Sequence, residues 1–234
     1  MSHHYKRILL KLSGEFLAGK QKFGIDFEVV SSICKQIKRC LDEKIQVALV
    51  VGGGNFWRGR SSGKMDRSKA DYMGMLATVI NSLGVCDALE QIGISTKVQT
   101  SIPMVPIANP FNKDEAVKHL NSFGVVIFAG GTGSPFFSTD TAAALRAAEI
   151  DADILLKATL VDGVYDKDPK KNSDAKKFDT LSFDEVLSNN LKVVDSTAAS
   201  LCRDNNISLL VFDVNNIENI FNAAIGKNIG TLVK

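Results

Sequence analysis

Short, continuously apolar runs alternate with helix-type patterns along the whole chain, and this alternation limits the fold more than any other feature. Runs such as Gln46–Val51 and Val125–Ala129 are apolar at nearly every position, so neither face of such a strand can stay in water. Strands buried on both faces are typical of parallel sheets covered by helices. We predict strands at Lys6–Leu12, Gln46–Val51, Ser95–Gln99, Val125–Ala129, Asp153–Lys157, Ile207–Phe212 and Gly230–Val233.

Amphipathic segments between these runs predict helices on both faces of the sheet. Asp26 is placed to cap a helix whose apolar residues recur at helical spacing, namely Val30, Ile33, Ile37 and Leu41. A second apolar stripe consists of Met73, Leu76, Ile80 and Leu83. The β-α order continues without a low-complexity linker or internal repeat, so residues 1–234 are expected to form a single α/β domain, a three-layer αβα sandwich with a mainly parallel central sheet. The segment Asp162–Asp179, rich in Asp and Lys, is the one expected mobile excursion.

Charge and hydropathy exclude several classes of function. The chain has 28 Lys and Arg against 26 Asp and Glu, and a net charge of +2 lacks the basic field of a nucleic-acid-binding protein. No apolar run approaches the ~20 residues that cross a bilayer, and the polar start Met1–Arg7 lacks the apolar core of a signal peptide. We therefore expect a cytoplasmic protein whose partners include neither polymeric nucleic acid nor a membrane.

The cysteines do not follow a metal-binding or disulfide pattern. They form no Cys-x-x-Cys pair and fall mostly within helical patterns, at Cys34, Cys40, Cys86 and Cys202. We interpret them as core or surface residues and predict no protein metal site.

Two glycine-bearing loops imitate nucleotide-binding motifs without completing them. Gly14–Lys20 has the spacing of a Walker A loop, but Gln21 stands where Ser or Thr must hold magnesium. In Gly52–Trp57, Trp57 occupies the place of the third glycine of a dinucleotide fingerprint, and no ribose-binding acid follows at the usual distance. We therefore predict neither a Walker A site nor NAD binding.

The segment Thr132–Asp140 leaves the strand Val125–Ala129 through two glycines and leads into a helical pattern. A helix N-terminus offers unpaired backbone N–H groups and the positive end of the helix dipole, which favour an anion such as phosphate. The segment thus indicates a phosphate site. The alternative is a plain turn with Asp140 as the helix cap.

Five segments together resemble the amino acid kinase family. They are Lys11–Gly14, Gly52–Arg58, Asp71–Thr78, Thr132–Thr139 and Lys157–Tyr165. Within that family the chain is similar to the bacterial uridylate kinases. Three motifs carry this similarity: the triple glycine with Asn55 and Arg58, Met73–Thr78, and Thr132-Gly133 followed by Pro135–Phe137. The resemblance runs from Lys6 to the C-terminus. It implies the amino acid kinase fold and ATP-dependent phosphorylation of UMP to UDP in pyrimidine nucleotide biosynthesis.

The chemistry of that reaction agrees with the placement of the charged residues. The UMP phosphate is already an oxyanion nucleophile, so the transfer needs charge neutralisation and alignment more than proton removal, and no histidine lies in a phosphate loop. Lys11 and Lys157 can neutralise the transferring group, and Asp140 can hold both ammonium groups in place. Two alternatives stay open: Lys11 could snorkel to the surface, and Lys157 could be only the charged end of its strand.

The acceptor side of the expected site carries one cation and one acid of particular interest. Arg58 suits an acceptor that itself bears a phosphate, because a guanidinium fork matches phosphate oxygens. Asp71 can accept hydrogen bonds from ribose hydroxyls, or can merely complement the helix dipole. The resemblance places UMP against Gly53, Arg58, Asp71, Thr132, Gly133, Ser134, Pro135, Phe136, Phe137, Ser138 and Thr139.

The ATP contacts follow from the resemblance alone. It places ATP against Lys11, Leu12, Ser13, Gly14, Gly54, Arg58, Thr159, Tyr165 and Asp168. In this arrangement Tyr165 packs on adenine and Asp168 accepts hydrogen bonds from ribose. Mg²⁺ bridges the nucleotide phosphates and has no dedicated protein cage.

The resemblance also concerns assembly and regulation. It implies a homohexamer and inhibition by UTP through the UMP pocket. Relatives that GTP activates tend to carry basic residues in the region of Cys86, Glu90 and Lys97, and here only Lys97 keeps the charge. Since a thiol and a carboxylate cannot attract a triphosphate, we expect weak or absent activation by GTP.

Two other functions stay open at this stage. Another amino acid kinase could phosphorylate carbamate or an amino-acid carboxylate, although Arg58 and the pair Phe136-Phe137 argue against it. A catalytically silent nucleotide sensor is the second alternative, and Lys11 with Asp140 argues against that one.

Overall fold

The computed structural model describes residues 5–58, 63–167, 169 and 171–234. Its strands are β1 (Arg7–Leu12), β2 (Gln46–Val51), β3 (Thr96–Thr100), β4 (Asn109–Pro110), β5 (Val125–Ala129), β6 (Ile154–Thr159), β7 (Val164–Tyr165), β8 (Lys177–Phe178), β9 (Thr180–Leu181), β10 (Ser208–Asp213) and β11 (Gly230–Val233). Its α-helices are α1 (Gly14–Leu17), α2 (Phe27–Asp42), α3 (Arg67–Gln91), α4 (Lys113–Asn121), α5 (Thr139–Glu149), α6 (Phe183–Ser188), α7 (Ser196–Asp204) and α8 (Asn219–Ala224). Every predicted strand is present, with bounds that agree within two residues.

Nine of the described strands form one sheet, in the order β4-β3-β5-β2-β1-β6-β10-β11-β9. All neighbouring pairs in it are parallel except β10 with β11. The prediction of a mainly parallel sheet is therefore confirmed. Within Asp162–Asp179, the segment expected to be a mobile excursion, β7 and β8 form an antiparallel pair of their own.

The central strand β1 explains why helices cover both faces of the sheet. Its side chains alternate between two separate cores: Ile8, Leu10 and Leu12 pack with α2, α3 and α8, whereas Leu9 packs with α4, α5, α6 and α7. All four side chains are fully buried. Since water is excluded from both faces, each face needs its own layer of helices. The αβα prediction is confirmed.

Helix α2 follows its sequence pattern closely. The Asp26 carboxylate accepts hydrogen bonds from the backbone N–H groups of Glu28 and Val29, as expected of an N-cap. The stripe that includes Ile33 and Ile37 is buried. The cysteines of α2 and α7 are buried too, and burial raises the pKa of Cys34, Cys40 and Cys202 to about 12, so these thiols stay protonated and pack as small apolar groups.

Helix α3 is present, but the apolar stripe that marks it in the sequence does not face the core. The predicted stripe is 37–49% exposed in all four members, Met73, Leu76, Ile80 and Leu83. The buried side instead carries many small or polar residues, among them Ala70, Ala77, Thr78, Asn81 and Ser82. By length and composition α3 is the one described helix that could cross a bilayer, a property shared by core helices that pack on a sheet.

Close packing against the loop after β2 explains this reversal. A Cβ atom on Gly53 would lie 2.7 Å from the carbonyl oxygen of Gly74 and 2.8 Å from Cβ of Ala77. The backbone of α3 thus approaches the loop too closely for large side chains. Only small residues fit where α3 meets this loop, whereas larger buried residues such as Val85 and Leu89 lie further along the helix.

We predict that Gly53→Ala lowers the free energy of unfolding by about 1–3 kcal/mol, because the new methyl group overpacks the contact with α3. Gly74→Ala on the facing helix is the matched control. A Cβ there has Trp57 as its nearest neighbour, at 3.9 Å, so the helix should gain up to about 1 kcal/mol. Urea unfolding of both variants measures the difference, and equal stabilities would contradict the close approach.

Candidate active site

The predicted site residues lie along one edge of the sheet, where parallel strands end. The strands β5, β2, β1 and β6 are neighbours in that order, so the loops that follow Ala129, Val51, Leu12 and Thr159 meet at the same edge. Ligands gather at this edge in open α/β sheets. The sheet order therefore collects segments that are far apart in the sequence.

Two lysines and one aspartate form a buried ionic cluster at this edge. Lys11 on β1 and Lys157 on β6 are register partners. Their Nζ atoms lie 2.7 Å from Oδ1 and 2.6 Å from Oδ2 of Asp140, which stands in the first turn of α5. The three side chains are only 11–16% exposed. The expectation that Asp140 holds both ammonium groups agrees with this geometry, and neither lysine extends into solvent.

The electrostatics of the cluster follow from two cations around one anion. Burial by itself raises the pKa of Asp140, but the ammonium groups of Lys11 and Lys157 outweigh it and hold that pKa at about 2. Burial lowers the pKa of Lys157, and the charge of Asp140 opposes that effect. Lys11 and Lys157 together therefore carry one positive charge more than Asp140 offsets, and the nearby carboxylate of Asp195 compensates for part of it.

Two residues organise the start of α5 in a way that the sequence did not predict, although Ser138 was expected to contact UMP. Ser138 is the N-cap, because its Oγ accepts hydrogen bonds from the N–H groups of Asp140 (3.0 Å) and Thr141 (3.2 Å). The alternative with Asp140 as the cap is wrong, because its carboxylate faces the two lysines instead. Asp195 accepts hydrogen bonds from the hydroxyls of Ser138 and Thr141. Local sequence marks Asp195 only as the cap of α7.

A cavity of about 160 Å³ is lined in part by Ser138 and Thr139, which directly precede Asp140 of the cluster. Five of the residues predicted to bind UMP line it: Gly53, Asp71, Phe137, Ser138 and Thr139. Thr132, Gly133, Ser134, Pro135 and Phe136 belong to the same loop but do not line the cavity. The loop is tied to α3, since the N–H of Phe136 donates to Oδ2 of Asp71 at 2.8 Å, and Arg67 donates to the same carboxylate.

The glycine loops under this cavity are held by a buried pair of amides. Asn81 on α3 is fully buried and donates to the carbonyl of Gly52 and to Oδ1 of Asn55, both at 2.7 Å. A Cβ on Gly14 would lie 2.4 Å from Oδ1 of Asn55, so the loop after β1 needs a glycine there. Sequence reasoning missed Asn81, although a polar amide inside an apolar helix is a signal that it has partners.

The other residues predicted to contact ATP are placed differently. Leu12 is buried in the core, Ser13 caps α1, and Gly54 faces the Glu15 side chain. Arg58, predicted to contact both nucleotides, does not line the 160 Å³ cavity. Its side chain is 61% exposed, and its Nη2 lies 2.5 Å from Oε1 of Glu15.

The C-terminal half supplies a second cavity, of about 400 Å³, lined by residues of the β7 region and of the segment 189–192. Tyr165 lines it and donates a hydrogen bond to Asp162. Thr159, at the end of β6, does not line it, and Asp168 lies outside the described residues. Val193, just beyond this lining, accepts a hydrogen bond of 2.6 Å from Lys157 and so links this region to the ionic cluster.

Comparison with known proteins agrees with this architecture along the whole chain. The model of the amino acid kinase family matches residues 6–213. UMP kinase from Bacillus anthracis is 37% identical with a TM-score of 0.94, covering 98% of this chain and 96% of that one. UMP kinase from Ureaplasma parvum is 39% identical with a TM-score of 0.92, and all of both chains is covered. Uridylate kinase from Archaeoglobus fulgidus is 30% identical with a TM-score of 0.75, covering 97% and 99%. Since both the family match and the structural matches span most of the chain, the protein belongs to the amino acid kinase family.

Proposed function

We propose that this protein is a UMP kinase that transfers the γ-phosphoryl group of ATP directly to the phosphate of UMP, giving UDP. The observation that carries the proposal is the buried cluster of Lys11, Asp140 and Lys157 beside a cavity lined by the predicted acceptor residues. Ser138 and Thr139 line that cavity and directly precede Asp140. The similarity to UMP kinases along the full chain supports the same assignment.

The chemistry needs positive charge more than it needs a base. Both substrates bring phosphates, and charge builds up on the oxygens of the group in transfer. Lys11 is the residue best suited to stabilise it, because within the described residues its ammonium group contacts Asp140, whereas that of Lys157 is also used by the carbonyl of Val193. Lys157 supplies the second ammonium group. Asp140 is the positioning residue that keeps both lysines at the sheet edge.

The acceptor nucleotide is proposed to bind between α3 and the loop 132–139. Asp71 accepts the ribose hydroxyls, and Arg58 contacts the acceptor phosphate. The carboxylate of Asp71 is only 13% exposed and already holds the loop through Phe136, so it is oriented before UMP arrives. Gly53 forms the floor, because a side chain there would collide with α3.

ATP is proposed to approach from the opposite side, with its base at the cavity near Tyr165 and its phosphates over the loop Ser13-Gly14. Thr159 and Asp168 are assigned to ATP on the family resemblance. The excess ammonium charge of the cluster fits a polyphosphate. No group of three or more His, Cys, Asp or Glu side chains that could hold a metal lies within the described residues, so Mg²⁺ is assigned to the nucleotide phosphates, whose charge it would neutralise.

Assembly and regulation complete the proposal. The exposed apolar stripe of α3 supports a subunit interface, in accordance with a homohexamer, since a free chain would present four large apolar residues to water. UTP is proposed to inhibit through the acceptor cavity. GTP activation is expected to be weak, because the half-buried Cys86 and its neighbour Glu90 offer no positive charge. We also propose that the protein is cytoplasmic and that residues 1–234 form a single domain.

The experiment that tests the proposed function is an assay of ADP release with a panel of acceptors. We expect turnover with UMP and none with carbamate or acetylglutamate, because neither of these brings a phosphate for Arg58. Turnover with carbamate or acetylglutamate alone would favour another amino acid kinase activity. No ADP release with any acceptor, despite nucleotide binding, would favour a sensor.

We predict that Lys11→Ala lowers kcat by roughly 10²–10³ and leaves UMP binding nearly intact, because one donor to the transition state is lost. Asp140 keeps Lys157 as a partner, so the variant should fold. Steady-state kinetics and calorimetry with UMP measure the two effects. Lys38→Ala, which removes an exposed lysine of α2, is the control. Activity of Lys11→Ala within a few-fold of the parent would end its catalytic assignment.

We predict that Asp71→Asn raises KM for UMP with little change in KM for ATP, because the asparagine can still accept from Phe136 but no longer presents a carboxylate to ribose. Asp66→Asn is the matched control at the start of the same helix, since asparagine also serves as an N-cap. Measurement of both constants decides the question. Equal damage to both, or a loss of thermal stability alone, would indicate a structural role for Asp71.

A further inference from the structure

One buried charge takes no part in the proposed chemistry. Arg146 on α5 is only 5% exposed. Its guanidinium carbon lies 3.6 Å from the ring centroid of Phe111, and the group is ion-paired with Glu149. A buried ion pair is a weak source of stability, because its desolvation offsets much of the attraction, and apolar residues often replace such pairs without loss. A purely structural reason for an arginine here is therefore poor.

The same guanidinium reaches towards the acceptor loop through a serine. Nη2 of Arg146 donates to Oγ of Ser101 at 2.8 Å, and that Oγ lies 2.8 Å from the carbonyl oxygen of Gly131. Arginine has only donors, so Ser101 must accept from it. The hydroxyl proton of Ser101 is then left for Gly131. Arg146 thus fixes the direction in which Ser101 donates.

The hydrogen bond from Ser101 to the Gly131 carbonyl affects the conformation of the loop that lines the acceptor cavity. It lines the acceptor cavity and has a φ of +59°, and its neighbours Gly130 and Gly133 also have positive φ angles. These glycines have no side chains that could anchor the loop. In a trans peptide the carbonyl and the next N–H point in opposite directions. Holding the Gly131 carbonyl towards Ser101 therefore holds the Thr132 N–H on the other side.

We propose that Arg146 is a positioning residue that, through Ser101, sets the orientation of the Gly131–Thr132 peptide for binding of the acceptor nucleotide. This inference rests on the proposed function and extends it to residues that do not touch the substrate. It separates the role of Arg146 from that of Asp140, which lies on the same helix but holds the two lysines that act on the transferring group. Arg146 therefore affects the affinity for the acceptor nucleotide and does not affect the affinity for ATP.

The main variant is Ser101→Ala, which removes the hydroxyl bridge and leaves Arg146 with its partner Glu149. Loss of one hydrogen bond corresponds to about a three- to tenfold rise in KM for UMP. We expect kcat and KM for ATP to stay within about twofold of the parent. Calorimetry with UMP alone should show the same rise in Kd. If the arginine served only in a core ion pair, Ser101→Ala would change the melting temperature but would not raise KM for UMP more than KM for ATP.

A double-mutant cycle tests whether Arg146 acts through Ser101. Arg146→Lys keeps the charge and loses the fork, and we expect its effect on KM for UMP to vanish when Ser101 is already alanine. Glu149→Gln is the matched control, because it perturbs the arginine from the side away from Ser101 and should leave KM for UMP within about twofold. If Arg146→Lys does not fold, Ser101→Ala and Glu149→Gln still decide the role of the bridge.

Each outcome has a distinct meaning. An unchanged KM for UMP in Ser101→Ala, or an equal rise in both Michaelis constants, overturns the positioning role while the parent still phosphorylates UMP. Additive effects in the cycle overturn the action of Arg146 through Ser101. A parent that neither binds nor phosphorylates UMP overturns the proposed function, and this inference with it.

Discussion

The contact on which the rest of the site depends is the one between the carboxylate of Asp140 and two buried ammonium groups. A lysine inside an apolar sheet is costly unless it has a partner, and Lys11 and Lys157 share one. This sharing is possible only because β1 and β6, far apart in the sequence, are adjacent and in register, and because α5 begins where they end. The position of α5 is in turn held by Ser138 and Asp195. The order of the strands and the start of α5 together bring the three charged side chains into contact.

Two regions of different construction adjoin this cluster. The side proposed for the acceptor is formed by backbone, with glycines in the loops after β2 and β5, and polar side chains such as Asn81 and Ser101 hold those loops through hydrogen bonds. The side assigned to ATP is formed by a small hairpin and a segment of the C-terminal half. Lys157 touches both parts, since it contacts Asp140 and the carbonyl of Val193. A nucleotide on either side would therefore meet a surface organised around the same lysine.

The sequence predicted the strands and the family well because both depend on local patterns. Apolar runs mark the buried strands, and short motifs place Lys11, Asp71, Asp140 and Lys157 near a single edge. It failed where the answer depends on contacts between distant segments. The apolar stripe of α3 does not mark its buried side, because the closeness of Gly53 to that helix is invisible in a hydrophobic pattern. Asp195, Asn81 and Arg146 were missed for the same reason, because each makes hydrogen bonds to residues 26 or more positions away in the sequence.

The positive charge by which Lys11 and Lys157 exceed Asp140, offset in part by Asp195, has a consequence for the medium in which the protein works. Salt screens exposed charges over distance, but it screens a buried cluster much less. We therefore expect dissolved anions to affect this site mainly by binding to the lysines, and only weakly by screening their charge. A compact dianion such as sulfate, which brings oxygens to both lysines, differs in this respect from chloride at equal ionic strength. The choice of buffer anion is thus part of the chemistry of the site.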